Sequence, residues 1–319
     1  MTAMPQTLLE PFNAERLRAA LRPLAAGAPL EEEARAYQRH YGLDLPQHPR
    51  VRSSLGLFHS EGLALAAQLW LPPEPQATLI LLHGYYDHMG LYRHVVDWAL
   101  GLNLAVLAFD LPGHGLSAGP RASIDDFASY QHALQHLFAE AARLDLPQPW
   151  HLCGQSTGGA ILLDFLLTGA PRPEPGSTIL LAPLVRPRAW GLSRLSYHLL
   201  RPFRTAIPRR FSANSNDPQF LEFLQQRDPL QPRHLPTAWV GALARWIPHI
   251  ERAPRSAQRP LVVQGEDDMT VDWRYNLAVL QQKFDQPDIL RIPGARHHLV
   301  NEREDIRARY FAFLSERLR

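Results

Sequence analysis

The chain has 319 residues, 45% apolar and 20% charged, with 33 basic against 31 acidic side chains and a formal charge of +2. That composition suits a globular protein with a substantial core, and the near-balance of charge excludes the basic footprint of a polyanion binder, so no nucleic-acid partner is expected. A single cysteine, Cys153, can close no intramolecular disulfide, and no run matches a membrane span or the apolar core of a signal peptide, so a cytoplasmic location is expected.

Residues 1–50 read as a helical extension. Leu30, Ala34, Tyr37 and Tyr41 recur at helical spacing behind Glu31, Glu32 and Glu33, and Gly42 stands where that helix should end. From Val51 the pattern changes to short apolar runs punctuated by Gly, Pro and Asp. Strands are predicted at 63–71, 78–82, 105–109, 150–153, 178–181, 261–263 and 289–292. Several are continuous Ile/Leu/Val runs, as strands covered on both faces require, and helical stretches lie between most of them. The expected fold class is therefore α/β, a mostly parallel central sheet with helices on both faces and ligands at the carboxyl ends of its strands. The expected core spans 51–186 and 255–319. Residues 187–254, too long for a crossover and too apolar for a disordered loop, read as an inserted helical cap.

Chemistry-bearing residues follow the predicted strands. His83-Gly84-Tyr85-Tyr86-Asp87-His88 comes after the second, and Asp110-Leu111-Pro112-Gly113-His114-Gly115-Leu116-Ser117 after the third. After the fourth comes Gly154-Gln155-Ser156-Thr157-Gly158, followed by an apolar helix. A G-x-S-x-G turn between strand and helix strains the serine backbone, and its flanking positions must lack side chains so that strand and helix can approach. A serine hydroxyl is a poor nucleophile at neutral pH, so it needs a base and an acid that orients the base. Gly265-Glu266-Asp267-Asp268 and His297-His298 follow the last two predicted strands and offer both, with two candidates for each role. His83, His88, His94 and His114 show no metal-ligand spacing and read as hydrogen-bonded loop histidines, while Cys153 reads as a small buried apolar residue. No metal and no organic cofactor is expected.

From Val51 onward these segments resemble the α/β-hydrolases, in particular the monoglyceride lipase and lysophospholipase-like branch that also takes in bacterial serine aminopeptidases. His83-Gly84 through His88 with Tyr92 is similar to that branch's H-G-x-x-x-H-x-x-x-Y loop. Residues 110–117 are similar to its D-x-x-G-H-G-x-S segment, with Leu111-Pro112 where His-Arg is commoner. The elbow, the G-x-x-D turn and the H-x-x-x-N-E segment complete the likeness. The resemblance implies Ser156 as nucleophile, Asp268 as orienting acid and His297 as base. Counting from Gly265 favours Asp268 over Asp267, and counting back from Asn301-Glu302 favours His297 over His298. It further implies an oxyanion hole from the backbone N–H groups of Tyr85 and Thr157.

In the cap, Trp190, Leu195, Tyr197 and Trp239, with Tyr86 below, are the expected substrate pocket. Interleaved arginines from Arg186 to Arg204 make the first cap stretch a basic amphipathic helix that could touch an anionic lipid surface. The expected activity is hydrolysis of carboxylic esters, with lipid esters favoured and oligomeric state left open. An aminopeptidase would need a cap carboxylate such as Asp217, Glu222, Asp228 or Glu251 for the substrate ammonium group. A slow-turnover ligand receptor on the same scaffold is the other alternative, and Ser156 argues against a dehalogenase or epoxide hydrolase, which would want an aspartate at that position.

Overall fold

The computed structural model describes residues 12–168 and 175–318. Helices α1 (Ala14–Ala20) and α2 (Glu32–Tyr41) precede strands β1 (Arg52–Ser60), β2 (Leu63–Leu71) and β3 (Thr78–Leu82). Next come α3 (Arg93–Gly101), β4 (Ala105–Phe109), α4 (Ala128–Arg143), β5 (Trp150–Gln155), α5 (Thr157–Thr168) and β6 (Thr178–Leu181). The inserted segment carries α6 (Trp190–Leu200), β7 (Ala206–Pro208), α7 (Pro218–Glu222), β8 (His234–Pro236) and α8 (Thr237–Arg252). The chain then returns through β9 (Leu261–Gly265), α9 (Trp273–Lys283), β10 (Asp288–Ile292) and α10 (Glu304–Ser315).

Eight strands form one sheet in the order β1-β2-β4-β3-β5-β6-β9-β10. β2 pairs antiparallel with β1 and β4, and every other neighbouring pair is parallel. This is the α/β-hydrolase arrangement. Strands β3, β4, β5, β6 and β9 are buried along their whole length, which is why their sequences run apolar without alternation. β3 lies between β4 and β5, so the chain leaves it in one direction and later crosses to its other side. The crevice where these connections part, at the carboxyl ends of β3 and β5, is where such sheets bind ligands.

Two features depart from the sequence pattern. β1 lies outside the strands that the sequence predicts: Arg-Ser-Ser-Leu-Gly-Leu-Phe-His-Ser has little strand propensity, and it is held by its register with β2. Its Gly56 lets the N-terminal segment lie against it, since a Cβ there would stand 2.6 Å from the Leu24 Cα. Beside that contact Leu24 and Leu57 exchange backbone hydrogen bonds with their neighbours, from Leu24 N–H to Leu57 O (2.9 Å) and from Leu57 N–H to Arg22 O (2.8 Å).

The second feature is how deeply the terminal and inserted segments are built into the core. Leu17, Tyr37 and Tyr41 are buried, and the Tyr41 hydroxyl donates to Asp228 Oδ1 (2.7 Å) in the inserted segment. The other oxygen of that carboxylate meets His88 Nε2 at 3.0 Å. In α8, Trp239, Leu243, Trp246 and Ile250 are buried in the same apolar cluster as the sheet, and the Trp246 indole N–H donates to Asp164 Oδ2 (2.9 Å). Helix α6 has no buried residue. Among the described residues no helix is long and apolar enough to cross a membrane.

Candidate active site

Ser156 stands between the end of β5 and the start of α5 with φ = 53°, a left-handed conformation that costs a non-glycine residue about 1–3 kcal/mol. The surrounding framework holds it there: the Ser156 amide donates to Leu181 O (2.8 Å) and its carbonyl accepts from Leu184 (3.1 Å). The two elbow glycines are required sterically. A Cβ on Gly158 would lie 2.4 Å from Leu82 O, and one on Gly154 would lie 2.4 Å from the Gly158 carbonyl carbon.

The loop after β10 brings His297 to this serine. Its Nε2 is 2.9 Å from Ser156 Oγ, and its Nδ1 is 2.7 Å from Asp268 Oδ2 on the loop after β9. Asp268 is buried and accepts further hydrogen bonds from the Gln264 side chain (3.1 Å) and the amides of Thr270 (2.8 Å) and Val271 (3.1 Å). Burial alone would raise its carboxyl, but the His297 ring and these donors outweigh it and hold the group below the ordinary carboxylate range. Of the alternatives left open by the sequence, Asp267 is exposed and His298 Nε2 turns instead to Asp87 Oδ2 (3.1 Å).

In the sequence Asn301-Glu302 serve only to fix the register of the histidines. In the structure they build the His297 loop. Buried Glu302 accepts from the amides of Arg296 (2.7 Å), Asn216 (3.0 Å) and Arg303 (3.1 Å), while the Asn301 side chain donates to Leu91 O (2.8 Å). Gln155 adds a hydrogen bond from its side chain to His297 O (2.9 Å). In the sequence the only signal is the place of Glu302 at the end of the H-x-x-x-N-E segment, which names none of its partners.

The loop after β3 is fixed just as closely. The Gly84 amide donates to the Tyr92 hydroxyl (2.8 Å), which donates to Asp87 Oδ2 (3.0 Å). His83 joins this loop to the next: Leu111 N–H donates to its Nε2 (2.9 Å), leaving Nδ1–H for Gly84 O (2.7 Å). Asp110 accepts from the amides of Met89 and Leu116, both at 2.7 Å. His114 bonds Pro112 O (3.0 Å). Gly84 is packed against the serine, since a Cβ on it would lie 3.4 Å from Ser156 Cβ. Cys153 is buried, and burial pushes its thiol far above the ordinary range.

Gly84, Tyr85, Ser156, Thr157 and His297 open onto one cavity of about 320 Å³. Tyr86, Trp190 and Trp239 line it, together with Leu224, Leu243 and Val271. The Tyr85 and Trp239 rings are stacked, centroids 3.7 Å apart, which couples the loop after β3 to α8. The two remaining pocket candidates lie elsewhere. Leu195 points outward and is 58% exposed, because α6 rests on the body through other positions. The Tyr197 hydroxyl packs against Gly241, the small residue that makes room for it.

None of the four cap carboxylates lines the cavity. Asp217 caps α7, Asp228 holds Tyr41 and His88, Glu251 pairs with Arg186 (2.7 Å), and Glu222 is exposed. Among the described residues no group of three His, Cys, Asp or Glu side chains is arranged to hold a metal.

Relatives share this architecture. Human monoglyceride lipase is 29% identical over 258 residues, 77% of this chain and 83% of that protein. A monoacylglycerol lipase from Mycolicibacterium smegmatis is 27% identical over 257 residues, 76% of this chain and 89% of that protein. The crystal structure of a soluble variant of monoglyceride lipase from Saccharomyces cerevisiae, in complex with a substrate analog, superposes with a TM-score of 0.70 at 18% identity. It covers 83% of this chain and 94% of that one. The family model for serine aminopeptidase, S33, matches residues 73–304. The chain therefore belongs to the serine aminopeptidase S33 family and is an α/β-hydrolase enzyme of its monoglyceride lipase-like branch.

Proposed function

We propose that the protein cleaves carboxylic esters of the monoacylglycerol and lysophospholipid class through an acyl-enzyme formed on Ser156. The observation that carries this reading is the unbroken chain Ser156 Oγ, His297, Asp268, with contacts of 2.9 and 2.7 Å. His297 Nε2 takes the proton as Ser156 Oγ attacks the ester carbonyl. Asp268, charged and bonded to Nδ1, fixes the tautomer that leaves Nε2 free to accept and stabilises the imidazolium that results. The backbone N–H groups of Tyr85 and Thr157 hold the tetrahedral oxyanion, and each such donor contributes about 2.7–4 kcal/mol to the transition state. The imidazolium then gives its proton to the departing alcohol. Water repeats the sequence on the acyl-enzyme, releasing the acid and restoring Ser156.

The aromatic and aliphatic lining of the cavity supports an acyl chain as the group bound there. The lining also weighs against an aminopeptidase. Its one carboxylate, Asp87, is engaged by His298 and Tyr92, and it carries the cations Arg209 and Arg210, which would repel a substrate ammonium group. Leu192, Leu195, Leu199 and Phe203 form an exposed apolar stripe along and beyond α6, flanked by Arg194, Arg201 and Arg204, and it suits transient contact with an anionic lipid surface.

The test is fluorophosphonate labelling together with turnover of a 4-nitrophenyl ester series. Stoichiometric labelling at Ser156 and multiple turnovers are expected. Labelling without turnover would favour a ligand receptor, and a fully active Ser156→Ala variant would end the proposal.

A further inference from the structure

The cavity at Ser156 holds a cation that the ester chemistry above does not use. Arg209, just after β7, lines it beside Tyr86. Its guanidinium carbon lies 4.1 Å from the centroid of the Tyr86 ring and 4.3 Å from that of Phe211, so two aromatic faces set where the group sits. One nitrogen, Nη1, donates to Gln231 Oε1 (2.6 Å) and Pro232 O (3.2 Å). The Gln231 amide has no freedom to flip, because its Nε2 donates to Asp228 Oδ2 (2.9 Å). Asp228 is itself tied to Tyr41 and His88. A buried carboxylate thus orients an amide, and the amide orients a guanidinium at the cavity wall.

Among the described residues no carboxylate forms an ion pair with Arg209. The acid that acts on it most strongly, Asp87, is already engaged by His298 (3.1 Å) and Tyr92 (3.0 Å). The neighbouring charges from the same segment are also positive: Arg210 lines the cavity, and Arg233 stands 5.1 Å from the Phe211 centroid. A guanidinium offers five N–H donors in a planar fork matched to carboxylate and phosphate oxygens, and here Nε and Nη2 are left for a guest. Desolvating and fixing a cation in a pocket that otherwise suits acyl chains is costly unless a ligand anion answers it.

We propose that Arg209 forms an anion subsite within the Ser156 cavity, so that the substrate is an ester carrying a carboxylate or a phosphate group. The inference rests on the ester-hydrolase reading above and narrows it.

Two matched comparisons separate the sources of the anion. For the alcohol half, fatty-acid release from a 1-acylglycerol 3-phosphate is compared with release from the 1-acylglycerol of the same chain. For the acyl half, 4-nitrophenyl hydrogen glutarate is compared with 4-nitrophenyl valerate. In one of the two comparisons the anionic ester should have the higher kcat/KM, by about tenfold to a hundredfold through KM, the range expected of a charge-assisted hydrogen bond. Arg209→Gln should abolish that ratio and Arg209→Lys should keep part of it. Arg233→Gln, outside the cavity lining, should leave the ratio as it is. Equal rates in both comparisons with the wild-type protein, or a ratio that survives in Arg209→Gln, would overturn the subsite. Ser156-dependent hydrolysis of the neutral esters would stand in either case, whereas ester hydrolysis that persists in Ser156→Ala would remove the reading beneath it.

Discussion

The Tyr92 hydroxyl accepts the Gly84 amide proton at 2.8 Å and passes its own to Asp87 at 3.0 Å. Both residues are buried, so a side chain eight positions along the sequence sets the direction of the loop proposed to supply the Tyr85 oxyanion donor. Tyr92→Phe keeps the ring and deletes the acceptor, leaving a buried N–H unsatisfied. Stability should fall by about 1–3 kcal/mol, and kcat by about tenfold or more with KM little changed. Thermal melts beside steady-state kinetics check this, and an unaltered kcat would show that the loop keeps its direction without the tyrosine.

Asp268→Asn should keep the loop geometry, since the amide oxygen can still accept from Thr270 and Val271, yet lower kcat by about 10⁴ by favouring the wrong His297 tautomer. Because the Asp268 carboxyl is held below its ordinary value, it stays charged above pH ~4. Any loss of wild-type activity on acidification above that point must come from another group. A pH–rate profile of kcat/KM tests this directly.

Trp239→Ala removes the ring stacked on Tyr85 and enlarges the cavity. The expected cost is about 3–5 kcal/mol of stability, with the preferred acyl chain shifting toward longer esters. Leu195→Ala, on the outer face of α6, should leave rates on water-soluble esters unchanged and stability within about 0.5 kcal/mol. A chain-length series run on both variants distinguishes lining from surface.

The buried Asp228–His88 pair gives stability a pH window. Burial would raise the Asp228 carboxyl, but His88, Tyr41 and Gln231 outweigh it and bring the group down to about 2. Its contribution is therefore complete above pH ~4 and lost as pH falls through about 2. Burial would lower His88, but the Asp228 charge lifts it above its ordinary value, so its contribution is complete below pH ~6.5 and lost as pH rises through that elevated value. The melting temperature should be highest between those limits. Asp228→Asn should lower it, at a cost of about 3–5 kcal/mol, and flatten both limbs. Melts from pH ~2 to ~9 provide the measurement.

Much of this was written locally in the chain. The buried parallel strands announce themselves because burial on both faces demands uninterrupted apolar runs, and the loops after them carry Ser156, Asp268 and His297 within a few residues of each strand end. The strain at Ser156 is legible too, because two glycines at fixed offsets relieve a clash that any side chain would cause. What could not be read is non-local. β1 draws its strand character from β2 and from the segment around Leu24 rather than from its own residues. The periodicity of α6 shows an apolar stripe but not which way it faces, so the sequence places Leu195 inside where the structure leaves it exposed. The role of Gln231 depends on Asp228 and Arg209, and neither partnership leaves a mark on sequence spacing.

The junction of Tyr41, His88 and Asp228 also constrains how this protein can be recombined. Three stretches of chain, more than 180 positions apart at the extremes, converge on one carboxylate. A chimaera that imports a relative's segment around Asp228 without a matching α2 would strand either an acid or a phenol in the dry interior. Helix α2 and the part of the inserted segment around Asp228 are in this sense a single heritable part, to be exchanged together or not at all.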